Sequence, residues 1–443
     1  MNRNAGETGT TQEHVGTILA CQSTSTPQTK ETIDSAANKG AQWSDLRPGH
    51  VDVRRGDVKC CAITMAKASP ALARCVPRRR HDMTPRHDHV KGPAPMNALR
   101  LARLPLDAAA VLGKEKSFRK NPVIGSERLN KAGLHKRRVE WAYRLSERRR
   151  AALAPRLRPQ ERAAFDANGF VMRPNALPDE LFARLRDELA TKPRPGWETR
   201  QGPAVTRMMP FPARDDGSAV SQARDFLRSA DVRNLIGYGA GRTGHLLAMI
   251  QTIAVQPLSD DHDPQSMLHA DTFHPTAKLW LFLHDVGVDE GPFSYVPGSH
   301  RLTPERLEWE YEQSVTAARQ SDPHHSAGSF RLPQEQLGTL GYGPLERMPV
   351  AANTLVVADT YGFHCRTPSA RPTVRTELYG MVRRNPFVPW NGGDPLELPF
   401  LKERALWIYL NGQDRKARAG KRVVYTNVGD VLASEPGQLA AAQ

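Results

Sequence analysis

Apolar positions along this chain follow helical spacing in its middle and break into short runs further on. Residues 134–154, LHKRRVEWAYRLSERRRAALA, have helical potential, with Trp141, Tyr143 and Leu145 as apolar surface and Arg148, Arg149 and Arg150 as a charged end. Residues 159–190 read as helix, short strand, helix. Asn168-Gly169 makes the first turn, and Pro178 opens the second helix with Asp179 and Glu180 in its first turn. Leu181, Leu185 and Leu189 recur every four residues and give that helix one buried stripe. A further helix is predicted at SADVRNLIGYGAG (229–241), stopping at its glycines.

From residue 244 to about 385 the pattern becomes β-like. HLLAMIQTIAVQPL, AKLWLFLHDV, PFSYVPGS, NTLVVADTYG and TELYGMVRR are apolar or β-branched runs cut by Gly, Pro, Asp or Asn. Many short strands without intervening helical periods predict an antiparallel barrel or double-sheet roll with flanking helices, an α+β protein that is mainly β. The chain divides accordingly. Residues 1–95, rich in Thr, Ser, Gly and Asn, read as a disordered extension, with Met96 as an alternative start. Residues 96–158 form a basic, partly helical arm. Residues 159–386 carry the chemistry. Residues 387–443 form a C-terminal extension with a helical or extended piece, LKERALWIYLNG, and a frayed end.

Charge sharpens this division. The net charge is +15, which by itself suggests nucleic acid. Residues 96–158 hold 17 Lys+Arg against 5 Asp+Glu, while residues 159–443 hold 31 against 33. The basic excess lies outside the region of short strands, which argues against nucleic acid as its ligand. The arm has two readings, a dock for an anionic partner or a packing helix with a solvated face, and the second is preferred. Five cysteines, among them Cys60, Cys61 and Cys75, fit neither a disulfide framework nor a zinc module. No run is long enough to span a membrane and the N-terminus lacks a leader pattern, so a soluble, cytoplasmic protein is expected.

The candidate chemistry begins at MLHADTFHP. Residues i and i+2 of a strand share a face, so His269 and Asp271 can aim an imidazole and a carboxylate at one point. His364 follows a strand downstream, and a third ligand would complete the two-His-one-carboxylate set that leaves three positions of an octahedral iron open. Arg375, eleven residues later, could pair with the distal carboxylate of a dicarboxylic co-substrate.

His-x-Asp, then His, then Arg eleven residues on resembles the phytanoyl-CoA dioxygenase family of Fe(II)/2-oxoglutarate enzymes. GPFSYVPGSHR (291–301) is similar to that family's Pro-Gly-Ser-His stretch, and residues 165–189 to its helix-strand-helix. The resemblance covers about residues 160–386. It implies a double-stranded β-helix, the cupin-like jelly roll. It also implies His269, Asp271 and His364 as iron ligands, Arg375 as anchor for 2-oxoglutarate, and Gln251 as a further co-substrate contact. Thr272, Lys278 and Arg366 are weaker candidates. The implied reaction consumes dioxygen and 2-oxoglutarate, releases succinate and CO2, and hydroxylates a C–H of a small-molecule or acyl substrate. Asp271, where related halogenases have a small residue, predicts hydroxylation.

Two other readings stand beside this one: a non-oxidative, cupin-like metal-binding jelly roll, and a nucleic-acid-binding protein acting through its arm. Arg375 separates the first of these, having no purpose there. The remaining polar residues are read plainly. His262, with Asp260, Asp261 and Asp263, belongs to a polar loop, and His284 to a strand end. His300 has a structural role. His274 orients substrate or packs behind Asp271, Cys365 is a buried thiol, and His324 and His325 lie in a polar loop. The substrate pocket is expected from residues 196–245 and the 302–345 insert. The sequence does not determine the substrate or the oligomeric state.

Overall fold

The computed structural model describes residues 98–256 and 263–436. The extension 1–95, with its cysteines, and the trio Asp260, Asp261 and His262 lie outside the described residues. In chain order the strands are β1 Phe170–Arg173, β2 Arg194–Gln201, β3 Ala204–Pro210, β4 Leu247–Val255, β5 Ala277–Phe282, β6 Phe293–Tyr295, β7 Glu346–Arg347, β8 Leu355–Asp359, β9 His364–Arg366, β10 Thr373–Val382 and β11 Thr426–Val431. Eight make one sheet in the order β1-β8-β5-β10-β4-β3-β2-β11, and β7-β6-β9 make a second. Neighbouring strands pair antiparallel throughout both sheets.

The alternation along β5 explains why its sequence is apolar at almost every position. Leu279 and Leu281 pack with Leu355, Val357 and Leu378 against the helix residues Leu185, Leu227 and Ile236. Trp280 and Phe282 face the other way and meet Phe293 and Tyr295 of the small sheet. The large sheet is therefore covered on both faces, by helices outside and by the small sheet inside. This is the jelly roll, mainly β with flanking helices, expected from the strand-rich pattern.

The helix-strand-helix at the start of this region forms as read. The first helix, Pro159–Asn168, ends at Gly169, whose φ of 89° caps it in the left-handed region. A side chain at Gly169 would strike the His300 ring, which is buried and serves packing. The next helix, Asp179–Thr191, buries Leu185 and Leu189.

Three elements depart from the sequence reading. The hairpin β2–β3 was not foreseen, because Arg194-Pro-Gly-Trp-Glu-Thr-Arg and the Arg in Thr206-Arg-Met-Met mask it with charge. Glu198 and Arg207 are fully buried as an ion pair of 2.8 Å. The end expected to be frayed contributes β11, which pairs with β2. LKERALWIYLNG resolves as helix, Ala405–Arg418. His364 follows β8, as read, and opens a short strand of its own, β9.

The basic arm is built into this framework. Its helix Leu134–Leu153 buries Arg138, Arg149 and Arg150, so the expected charged end is interior. Arg149 donates to the carbonyls of Pro386 and Val388 at 3.0 and 2.6 Å. Arg150 donates to the carbonyls of Tyr238 and Gly239, in the last turn of helix Ala230–Gly239, and to Asp359 Oδ2 at 2.7 Å. Arg138 stacks on Phe273 at 4.1 Å, and His135 meets Glu310 at 3.0 Å. Much of the arm's charge thus satisfies backbone carbonyls and buried carboxylates of the same unit. That is the packing reading, with the difference that the arginines are buried.

Asp359 is fully buried, and Arg150 is the cation that meets it. Removing one partner of a buried pair typically costs about 3–5 kcal/mol. Arg150→Ala is expected to lower the unfolding free energy by that amount, read as a lower urea midpoint with an unchanged m-value; a loss below about 1 kcal/mol would refute the bracing role.

Candidate metal centre

The centre begins with a backbone constraint. His269 and His364 form an antiparallel bridge in which each N–H donates to the other's carbonyl at 3.0 Å. Residues so paired have side chains on the same face and close together. Their ring centroids lie 4.5 Å apart. Asp271, two residues on, donates its N–H to Thr360 O at 2.8 Å and returns its carboxylate to the same side. Asp271 Oδ1 is 3.7 Å from His269 Nε2 and 3.8 Å from His364 Nε2. One ligand atom from each of the three residues lies within 4.8 Å of the others.

The tautomers follow from the carbonyls behind the rings. His269 Nδ1 lies 2.7 Å from Met267 O, and His364 Nδ1 lies 2.9 Å from Gly362 O. A carbonyl can only accept, so both Nδ1 atoms carry hydrogen and both Nε2 atoms present lone pairs toward Asp271. His364 Nε2 is buried without a hydrogen-bond partner. Gly362 is required at its position, since a Cβ there would sit 1.8 Å from the Tyr295 hydroxyl. Two neutral imidazoles and a carboxylate, with a buried nitrogen unmatched by any protein donor, fit a divalent transition metal.

Electrostatics keep the set deprotonated. Burial pushes the His364 imidazole down to about 4. Burial, and the neighbouring His364, hold His269 well below its ordinary value. Burial works against the ionised Asp271, but Lys278 outweighs it and keeps the carboxyl well below the usual range. Lys278 Nζ lies 2.6 Å from Asp271 Oδ2. Lys278 shares the β5 face of Trp280 and Phe282 and lines the cavity, where the sequence left cavity or solvent open.

That cavity, about 220 Å³, lies between the two sheets. Arg375, Glu377 and Tyr379 alternate on β10, and Arg375 and Tyr379 face the cavity. Arg375 Nη1 donates to Gly291 O at 2.9 Å, and its Nε is 3.1 Å from Glu377 Oε2. Glu377 is fully buried; burial pushes its carboxyl up despite Arg375. Gln251 opposes Glu377 across β4 and donates to Glu377 Oε1 at 2.8 Å. Arg375 and Gln251 thus share one end of the cavity, joined through Glu377.

Several candidates are placed elsewhere in the network. Arg366 lines the cavity and pairs with Asp263 at 2.7 Å. Thr272 is buried with an unpartnered hydroxyl. His274 is a neutral buried ring, pushed down to about 3 by burial, with Nδ1 on Pro275 O. Cys365 is buried, and burial raises its thiol to about 11, which disfavours the thiolate at neutral pH. His284 is exposed at a strand end. His325 corrects its reading as a loop residue, since it is buried on the short helix Pro323–Ser326.

Two residues escaped sequence reasoning. Glu377 had a usable signal, because Arg-x-Glu on a strand puts both side chains on one face. Lys116 had none. It comes from the arm and donates to Asp271 O across 155 residues of chain.

Residues 165–333 match the phytanoyl-CoA dioxygenase (PhyH) family profile. The match includes His269 and Asp271; His364 and Arg375 lie beyond it. No curated protein sequence matches the chain. Among solved structures, the chain is similar to the epimerase SnoN in complex with Fe3+, alpha ketoglutarate and nogalamycin RO. The identity there is 18%, covering 52% of this chain and 83% of SnoN, with a TM-score of 0.34. HygX from Streptomyces hygroscopicus, with nickel and 2-oxoglutarate bound, is 17% identical over 51% of this chain and 86% of its own, with a TM-score of 0.32. AviO1 from Streptomyces viridochromogenes Tue57 is 17% identical over 51% and 93%, with a TM-score of 0.31. The matched segment is a phytanoyl-CoA dioxygenase family domain. Within that segment and just beyond it, the His-Asp-His cluster could hold a metal ion. No described helix is long and apolar enough to cross a membrane.

Because burial holds the His364 imidazole at about 4 and His269 well below its ordinary value, protons compete little with metal near neutrality. Mn(II) affinity, measured by calorimetry, is expected to be flat from about pH 6 to 8 and to fall only as pH approaches the His364 value. A steep loss between pH 7 and 6 would mean that the imidazoles are not held neutral.

Proposed function

We propose that the chain hydroxylates an unactivated C–H of a small-molecule substrate, with iron held by His269, Asp271 and His364 and 2-oxoglutarate anchored by Arg375. The observation that carries this reading is the convergence of two lone-pair-bearing Nε2 atoms and one carboxylate on a point beside the cavity that contains Arg375. Bound iron would supply the oxidising chemistry, with 2-oxoglutarate decarboxylated to succinate and CO2 as one oxygen atom enters the substrate.

The chain's own residues do the positioning. The carbonyls of Met267 and Gly362 hold both rings in the ligating tautomer. Lys278 holds the Asp271 carboxylate ionised from one side, and Lys116 ties its backbone from the other. Asp271 also occupies the position a halide would need, which favours hydroxylation over halogenation. Trp280, Phe282 and Phe293 wall the cavity with apolar surface and exclude water from the reacting atoms.

At the far end, Arg375 meets Glu377 at the edge of good hydrogen-bond geometry, and its Nε has no well-aligned partner. A dicarboxylate's distal group would complete that guanidinium. Gln251 contributes by holding Glu377 and bordering the same end of the cavity. The cupin-like, non-oxidative reading has no use for a buried arginine there.

Reconstitution with Fe(II) under anaerobic conditions, followed by admission of oxygen, is expected to release succinate. His269→Ala, Asp271→Ala and His364→Ala should each abolish the release; wild-type-like turnover in any of them would sink the ligand assignment. Arg375→Gln should raise the KM for 2-oxoglutarate at least ~30-fold, about 2 kcal/mol of charge-assisted hydrogen bonding. An unchanged KM would place the co-substrate anchor elsewhere.

A further inference from the structure

A second cavity, about 810 Å³, lies beside the candidate metal centre. It is walled by helix Pro304–Thr316, by the segment 320–336 and by residues flanking the candidate ligands. Met267 and Leu268 border it just ahead of His269, and Cys365, next to His364, borders both cavities. Arg331, on its wall, is itself the second bridge partner of His269. The two cavities therefore meet at the strand pair that carries His269 and His364. The volume falls within the range of sites for whole small molecules.

The lining has a specific chemical bias. Trp309, His325 and Arg331 are 6%, 7% and 7% exposed, and each has buried nitrogen without a partner. Trp309 Nε1 can only donate. Arg331 Nε and Nη1 can only donate, and the carboxylate of Asp322 stands off at 3.6 Å from Nε. His325 Nδ1 accepts the Arg331 N–H at 3.2 Å, and burial keeps the ring neutral, so its proton sits on Nε2. All three unmatched groups are donors. Arg347 adds a second guanidinium, and no Asp or Glu lines the cavity. Buried donors without acceptors are costly, so a wall that collects them with a surplus of cations suits a ligand that brings acceptors and negative charge.

We propose that this cavity binds an oxyanionic group, carboxylate or phosphate, of the primary substrate, through Arg331, His325 and Trp309. The proposal rests on the iron and 2-oxoglutarate reading for what happens next. Held there, the substrate extends past the ligand strands, and its reactive C–H is presented at the metal. The insert 302–345 would then supply the substrate's recognition, and the jelly roll its oxidation.

The test uses the full-length protein loaded with Ni(II) and 2-oxoglutarate, with thermal unfolding as readout and inorganic phosphate or acetate as probe. Saturating oxyanion is expected to raise Tm by roughly 3 °C in the wild type and by none of that amount in Arg331→Gln. The general salting effect of the anion is common to both proteins and cancels. Trp309→Phe keeps the ring and removes only its N–H, so it should lose part of the shift, and it replaces Arg331→Gln if that variant does not fold. Whichever of phosphate and acetate gives the larger Arg331-dependent shift identifies the group. Equal shifts in wild type and variant, or none with either anion, overturn the proposal. Arg375→Gln should lose the stabilisation by 2-oxoglutarate and keep that by oxyanion. Loss of the first in the wild type condemns the co-substrate reading, whereas loss of the second alone condemns only this site.

Discussion

The mutual hydrogen bonds between His269 and His364 are the constraint on which the centre depends. Two side chains 95 residues apart in sequence are brought together because their backbones exchange both N–H···O bonds. No rotamer choice could do this by itself, since a register slip of one residue would send an imidazole to the opposite face. The register is held further along the same segment. Thr360 accepts from Asp271, and the Asp359 carboxylate accepts from Thr276 and Tyr361. The Tyr295 hydroxyl donates to Asp359 O. Arg150 closes the network from outside.

That network gives the basic arm its meaning. A net charge of +15 suggests an electrostatic surface, yet Arg138, Arg149 and Arg150 point inward and end on carbonyls or on Asp359. A guanidinium offers five donors in a fixed fork, which suits it to gather carbonyls left over at helix ends and loops. Arginine serves here as a hydrogen-bonding bracket between the arm and the jelly roll. The charge that stood out most in the composition is therefore weak testimony about ligands, whereas Lys116, one charge among many in the arm, reaches Asp271.

What the sequence disclosed follows from what is local. β5 and β10 were visible because their apolar alternation is continuous, and His269 with Asp271 because a strand puts alternate residues on one face. The β2–β3 hairpin was hidden because its pairing buries Glu198 against Arg207, and a buried ion pair looks in sequence like solvent-facing charge. β11 was hidden because its GlyAsp-rich text becomes a strand only by pairing with β2. Lys116 and the burial of His325 depend on segments far apart in sequence, and no periodicity encodes them. Gln251 came only with the family resemblance, and its partner proves to be Glu377, a residue the motif pattern does not contain.

The two cavities divide the chemistry by the sign of what they leave unmatched. Behind the inner wall each cation has an acid against it, Glu377 with Arg375 and Asp271 with Lys278, whereas at the outer one Asp322 stands off from Arg331 at 3.6 Å. An incoming dicarboxylate and a divalent metal together nearly balance such a site, so its net charge changes little on loading. The outer one has donors and guanidinium groups with no acid among its lining residues. An acceptor entering it would meet the unpartnered nitrogens of Arg331, Trp309 and His325. Keeping the His-Asp-His cluster in one cavity while varying the insert that walls the other is a physical route by which one framework can serve different substrates.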